Sequence, residues 1–207
     1  MKNILVLLSA ITLLSVSCKK KTETETKETV VTETTTNQET YQVSSKGSEV
    51  YWTGYKFTNN TPVKGKFKTI NVTNAPVADT QLAALNGVEF SIPTSSIFSE
   101  NEIRDGKLVS LFFNIMEETE LLTGSFVTKG ENLFLNLKMN GVTKEIAVSH
   151  KIADRHVRIE GKLSILDFGA DAALNSIHKA CEVLHTGTDG VSKTSEEVAL
   201  EAIVFLK

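Results

Sequence analysis

Most of this chain alternates apolar and polar side chains at every second position, the period of a strand with one face on a core. From Glu49 to Thr58, Val50, Trp52 and Gly54 oppose Tyr51, Thr53 and Tyr55. After the turn residues Asn59-Asn60-Thr61-Pro62, the stretch from Val63 to Val72 sets Val63, Gly65 and Phe67 against Lys64, Lys66 and Lys68. Further strands are predicted over Val88 to Ile92, Thr119 to Thr128, His156 to Ile165 and Glu197 to Leu206. The clearest signal is Leu133 to Val148. There Leu133, Leu135, Leu137 and Met139 run up to Asn140-Gly141, and the chain returns through Ile146 and Val148. Both turn residues tolerate positive φ, so this is a hairpin with a type I′ turn.

Helical patterns interrupt the strands at three places. A short helix is predicted over Asp79 to Leu85, ended by Asn86-Gly87. A second opens with the capping pair Ser99 and Glu102 and carries Ile103, Leu108, Leu111 and Phe112, with Gly106 weakening its middle. A third is inserted before the last strand, from about Ala170 to Leu184. Eight strands in mostly sequential hairpins predict an all-β fold, an eight-stranded antiparallel up-and-down barrel of lipocalin-like form, because closure removes both exposed edges. Such a barrel either packs its interior solid or encloses one small ligand. Inward faces place Trp52, Phe67, Leu135, Leu137, Val148, Ile159, Leu163, Leu200 and Val204 inside, with Gly54, Gly65 and Gly161 leaving space.

The first residues belong to a different regime. A basic Lys2 precedes an apolar run from Ile4 to Val16, too short to cross a bilayer and of the length of a secretory signal core. Ser15-Val16-Ser17-Cys18 resembles a lipobox, the bacterial lipoprotein signal, with Ser15 where Leu is commoner. The resemblance implies cleavage after residue 17, a lipidated Cys18 and attachment to a membrane of the bacterial envelope, with the barrel in the periplasm or at the surface. Residues 18–42 read as a disordered tether dominated by Thr, Glu and Lys, and residues 43–207 as the folded domain.

Composition narrows the partners. The formal net charge is −3 with no basic stripe, which argues against nucleic acid. There are two cysteines, and acylation of Cys18 leaves Cys181 without a disulfide partner. The one metal-like constellation is His178, Cys181 and His185, which fall within about 60° of arc on a helix. They also spread along about 10 Å of axis. Leu174, Ile177 and Leu184 define a buried stripe that includes Cys181, with the histidines along its border, so packing is the favoured reading of these residues and a metal site the alternative. Asp167, Asp171 and Asp189 lie near turns and no serine has an acid-base partner in sequence. No catalytic apparatus is apparent, and the chain reads as a binding protein and not an enzyme.

Four motifs in order carry a family resemblance: Val50-Tyr51-Trp52-Thr53-Gly54-Tyr55, Val63-Lys64-Gly65-Lys66-Phe67, Arg104-Asp105-Gly106-Lys107-Leu108 running into Leu111-Phe112-Phe113, and Met139-Asn140-Gly141-Val142-Thr143-Lys144. Together they resemble the YceI-like family from about Ser48 to the end. That resemblance implies a lipocalin-like exported barrel holding a long isoprenoid-type amphiphile, a lipid-like ligand, in an apolar channel. Lys107 and Asn140 stand where His is often found in the family, so a ligand contact by either His has no counterpart here. The competing expectations are a metal- or redox-active helix, and a structural or interaction lipoprotein with a filled barrel.

Overall fold

The computed structural model describes residues 39–118 and 120–207. The expected signal segment, Cys18 and most of the tether lie outside those residues. Among the described residues eleven strands and two α-helices follow one another: β1 (Tyr41–Lys56), β2 (Thr61–Phe67), β3 (Asn71–Asn74), β4 (Val77–Ala78), β5 (Glu89–Pro93), β6 (Ile97–Phe98), α1 (Glu102–Leu111), β7 (Leu121–Lys129), β8 (Asn132–Met139), β9 (Val142–Ala153), β10 (His156–Ser164), α2 (Asp171–Cys181) and β11 (Glu197–Leu206). All the strand pairs are antiparallel, in the order β3-β5-β7-β8-β9-β10-β11-β1-β2-β6, with β4 beside β1.

The two ends of that path are consecutive pieces of chain. β2 leads into β3 through Lys68 to Ile70, and β5 leads into β6 through a 3₁₀ turn at Thr94–Ser96. β3 pairs with β5 while β2 pairs with β6, so the sheet curls round and its ladder returns on itself. The eight expected staves are thus present. The count rises to eleven because β4 is added and two facing staves are kinked at the same level. Pro93 accounts for the kink, since it has no N–H to give and the ladder is interrupted beside it. A bond from Lys68 N to Ser96 O (2.9 Å) resumes the pairing.

β1 starts at Tyr41, not at Glu49, so Tyr41 and Gln42 belong to the barrel and not to the tether. Its polar stretch Ser44-Ser45-Lys46-Gly47-Ser48 reads as a loop in sequence because it is a bulge. Gly47 takes φ 90°, and Ser48 Oγ accepts from Phe205 N (2.9 Å) and donates to Ser44 O (2.6 Å), replacing the missing ladder bonds. The hairpin β8–β9 pairs Leu133 with Val148 and Met139 with Val142, and Asn140 and Gly141 have φ 52° and 72°. Leu133, Leu135, Leu137 and Met139 are all buried, as their alternation predicts.

The helical segments depart further from expectation. Asp79 to Leu85 yields only a 3₁₀ turn, Ala83–Leu85, whose Ala84 and Leu85 are fully buried in the core. Helix α1 is capped by Asn101, which accepts from Arg104 N (2.9 Å), and not by Ser99. Ser99 is instead buried and gripped by the Arg-Asp motif. Arg104 Nε donates to its hydroxyl and Arg104 Nη2 to its carbonyl, both at 2.7 Å, while Asp105 accepts from its hydroxyl and its N–H. Helix α2 stops at Cys181, and Val183–His185 is a 3₁₀ turn. Tightening from 3.6 to 3 residues per turn rotates Leu184 off the buried stripe and leaves it 63% exposed.

Asn140 has a latching role. Its Oδ1 accepts from Glu117 N (2.7 Å) and its Nδ2 donates to Phe168 O (2.8 Å), tying the hairpin tip to the segments that follow α1 and β10. Replacing Asn140 by Ala is expected to cost about 2 kcal/mol, from two lost bonds and a left-handed backbone that Ala resists. A urea midpoint unchanged from the parent would contradict this.

Candidate functional site: a capped apolar cavity

Antiparallel pairing brings four strand ends to one rim. Gly54 of β1 faces Val63 of β2, Thr53 faces Ala199 of β11, and Leu163 of β10 faces Val198. Helices α1 and α2 and the segment 182–195 lie over this end. Beneath them is a cavity of about 480 Å³ walled by Trp52, Val63, Phe67, Leu137, Leu163 and Leu200 from the barrel and by Leu108, Phe112, Leu174 and Ile177 from the cap. Nothing in α1 is fully buried, so the cap is a half-exposed layer. Ile103 and Leu184, 77% and 63% exposed, also line the cavity and mark its opening between the helices.

A smaller chamber of about 100 Å³ lies deeper, walled by Leu135, Val148, Ile159 and Val204 among others. Phe67, Leu122, Leu137 and Leu200 line both chambers and stand between them. All nine residues placed inside by alternation therefore line one chamber or the other. The three glycines differ. A Cβ at Gly54 would meet nothing within 4 Å, whereas at Gly65 it would lie 2.3 Å from Cζ2 of Trp52, and at Gly161 2.8 Å from Cγ1 of Val148. Only Gly54 leaves open space; the other two are covered by neighbouring side chains.

The cap brings polar groups to the opening. Lys56, Arg104, Lys107 and His185 line the cavity, and Lys107 Nζ reaches Ala180 O at 3.3 Å, linking α1 to the end of α2. Thr194, bridged to Lys56 of β1, sits between two imidazoles, with His178 Nδ1 at 3.1 Å and His185 Nδ1 at 2.6 Å from its hydroxyl. One hydroxyl proton serves only one ring, so it donates to one Nδ1 and accepts from the other. Burial, aided by the positive charges of Lys56, His178 and Lys107, holds His185 below the ordinary imidazole range.

His178, Cys181 and His185, the alternative metal constellation, are not brought together. Both histidines turn Nδ1 to Thr194, Cys181 lies on the cavity wall, and among the described residues no group of three or more His, Cys, Asp or Glu side chains is placed to hold a metal ion. The reason is the one the axial spread supplies, reinforced by the end of α2 at Cys181. Sequence reasoning missed Lys56, Arg104, Lys107 and Thr194 as cavity residues. For α1 a signal existed in its Leu108 and Phe112 stripe; for Thr194 none did.

An antiparallel barrel whose apolar interior is capped by helices at one end is a lipocalin-like architecture. The YceI-like domain model matches residues 41–204, and the chain belongs to that family. Its fold is similar to a polyisoprenoid-binding domain from Saccharophagus degradans, at 12% identity and a TM-score of 0.54, covering 81% of this chain and 97% of that one. It is also similar to BcnA of Burkholderia cenocepacia, at 14% identity and a TM-score of 0.51, covering 80% and 99%. At such identities the likeness is one of fold. A search of curated proteins found no match.

Proposed function

We propose that this chain is a binding protein that holds the apolar chain of an isoprenoid-type or other lipid-like amphiphile inside its barrel, tethered to a membrane of the bacterial envelope through Cys18 with the barrel in the periplasm. The observation that carries the binding part is the 480 Å³ cavity, apolar in its walls and open between Ile103 and Leu184. Its size and lining suit a small-molecule site, and burial of apolar chain at roughly 25 cal/mol per Å² supplies the affinity. The Saccharophagus degradans relative, described as polyisoprenoid-binding, supports the ligand class. No side-chain set at the opening suggests bond-making, so binding is favoured over catalysis.

Organic extraction of the purified protein is expected to release a long-chain amphiphile in near-stoichiometric amount. Adding that amphiphile back at a hundredfold its Kd should raise stability by about 2.7 kcal/mol. An extract without such a compound, from protein that also ignores added long-chain ligands in a thermal melt, would refute the reading. The tether rests on Ser15-Val16-Ser17-Cys18. Cys18→Ser should move the protein from the membrane fraction to the soluble fraction, and continued co-sedimentation with membranes would remove the anchor from the proposal.

A further inference from the structure

We propose that the amphiphile this cavity takes carries an anionic head, a carboxylate or a phosphate monoester, seated at the opening against Lys56, Lys107 and Arg104 with its single chain in the upper chamber. This rests on the reading that the cavity holds an apolar chain, and adds the chemistry of the other end.

The argument is one of charge balance. The chain as a whole is acidic, at −3, yet among the described residues lining the cavity Lys56, Arg104 and Lys107 are cations and none is Asp or Glu. Several lysines and arginines elsewhere on the barrel are matched to carboxylates: Lys66 with Glu49, Lys129 with Glu145, Arg158 with Glu160 and Glu201, Lys162 with Glu197. Asp105 shares Ser99 with Arg104 and so sets a carboxylate beside that guanidinium, whereas Lys56 and Lys107 have no carboxylate partner on the cavity wall. Burial is the main reason His185 is held below the ordinary imidazole range, and the positive charges of Lys56 and Lys107 nearby act in the same direction. Arg104 gives two of its five N–H donors to Ser99, which fixes the guanidinium at the wall and leaves donors for a ligand oxygen.

Low-dielectric walls below and three cations above make a site in which a negative head is favoured while its tail is dry.

The test compares three sixteen-carbon ligands in displacement of a fluorescent apolar probe from the intact protein: palmitate, hexadecyl phosphate and hexadecanol. At least one anion should bind about tenfold tighter than the alcohol at low salt, and the advantage should shrink as sodium chloride is raised while alcohol binding holds. The stronger anion identifies the head. Replacing both lysines, Lys56→Gln with Lys107→Gln, should bring the anions down to the level of the alcohol. If the alcohol matches or exceeds both anions in the parent protein, the anionic head is wrong and the chain-binding reading stands. If none of the three displaces the probe, this inference falls, and solvent extraction of the natural ligand then decides separately whether chain binding falls with it.

Discussion

Gly65→Ala is expected to destabilise the domain by about 3 kcal/mol and to unseat the indole of Trp52. A Cβ there would lie 2.3 Å from Cζ2 and 2.6 Å from Cε2 of that ring, and 2.7 Å from the carbonyl oxygen of Phe98 on the paired strand. Neither side has slack. The indole is wedged into the wall with 9% of its surface exposed, and the carbonyl belongs to β6, which Phe67 and Lys66 hold in register at the kinked seam. Overpacking of this kind costs 1–3 kcal/mol when the neighbour can shift, and a rigid bicyclic ring is a poor candidate for shifting. Trp52 is the chain's single tryptophan, so the displacement has its own readout. Emission should move to the red in the native state of the variant, and the urea midpoint should fall. Native emission and midpoint both equal to the parent's would show that the ring has room it does not have in this structure.

The frame of the molecule was readable because one rule, period 2 with an apolar face, acts locally. The β8–β9 hairpin shows this most directly: Leu133, Leu135, Leu137 and Met139 are buried, and the Asn140-Gly141 turn has the positive φ values its residue types promise. What failed to show in sequence required information from elsewhere in the chain. The bulge at Ser44 to Ser48 reads as loop because its hydrogen bonds are made by the Ser48 hydroxyl and not by a regular ladder. The cap of α1 moved from Ser99 to Asn101 because Arg104 and Asp105 claim Ser99 from within the helix. The polar opening combines Lys56 from the first strand, Arg104 and Lys107 from α1, and His185 from beyond α2. No spacing rule links positions that distant; only the closure of the sheet brings them together.

Gly54 and Gly65 look alike in sequence, each an inward glycine in a strand, and they should respond in opposite ways to an added side chain. Gly54→Phe is expected to fold at least as well as the parent and to weaken binding of a long-chain ligand about a hundredfold, or about 2.7 kcal/mol. Nothing lies within 4 Å of a Cβ at Gly54, the residue lines the upper chamber, and its backbone is in an ordinary strand beside Val63. The new ring therefore enters empty space, and removing a glycine from a strand contributes roughly 0.5–1 kcal/mol to stability. Gly54→Ser, which adds little bulk, is the control that separates occupation of the chamber from a change in the strand. Isothermal titration with the extracted amphiphile reads the affinity, and a thermal melt reads the fold. Binding retained by a well-folded Gly54→Phe protein would mean that the chain does not rest in the upper chamber.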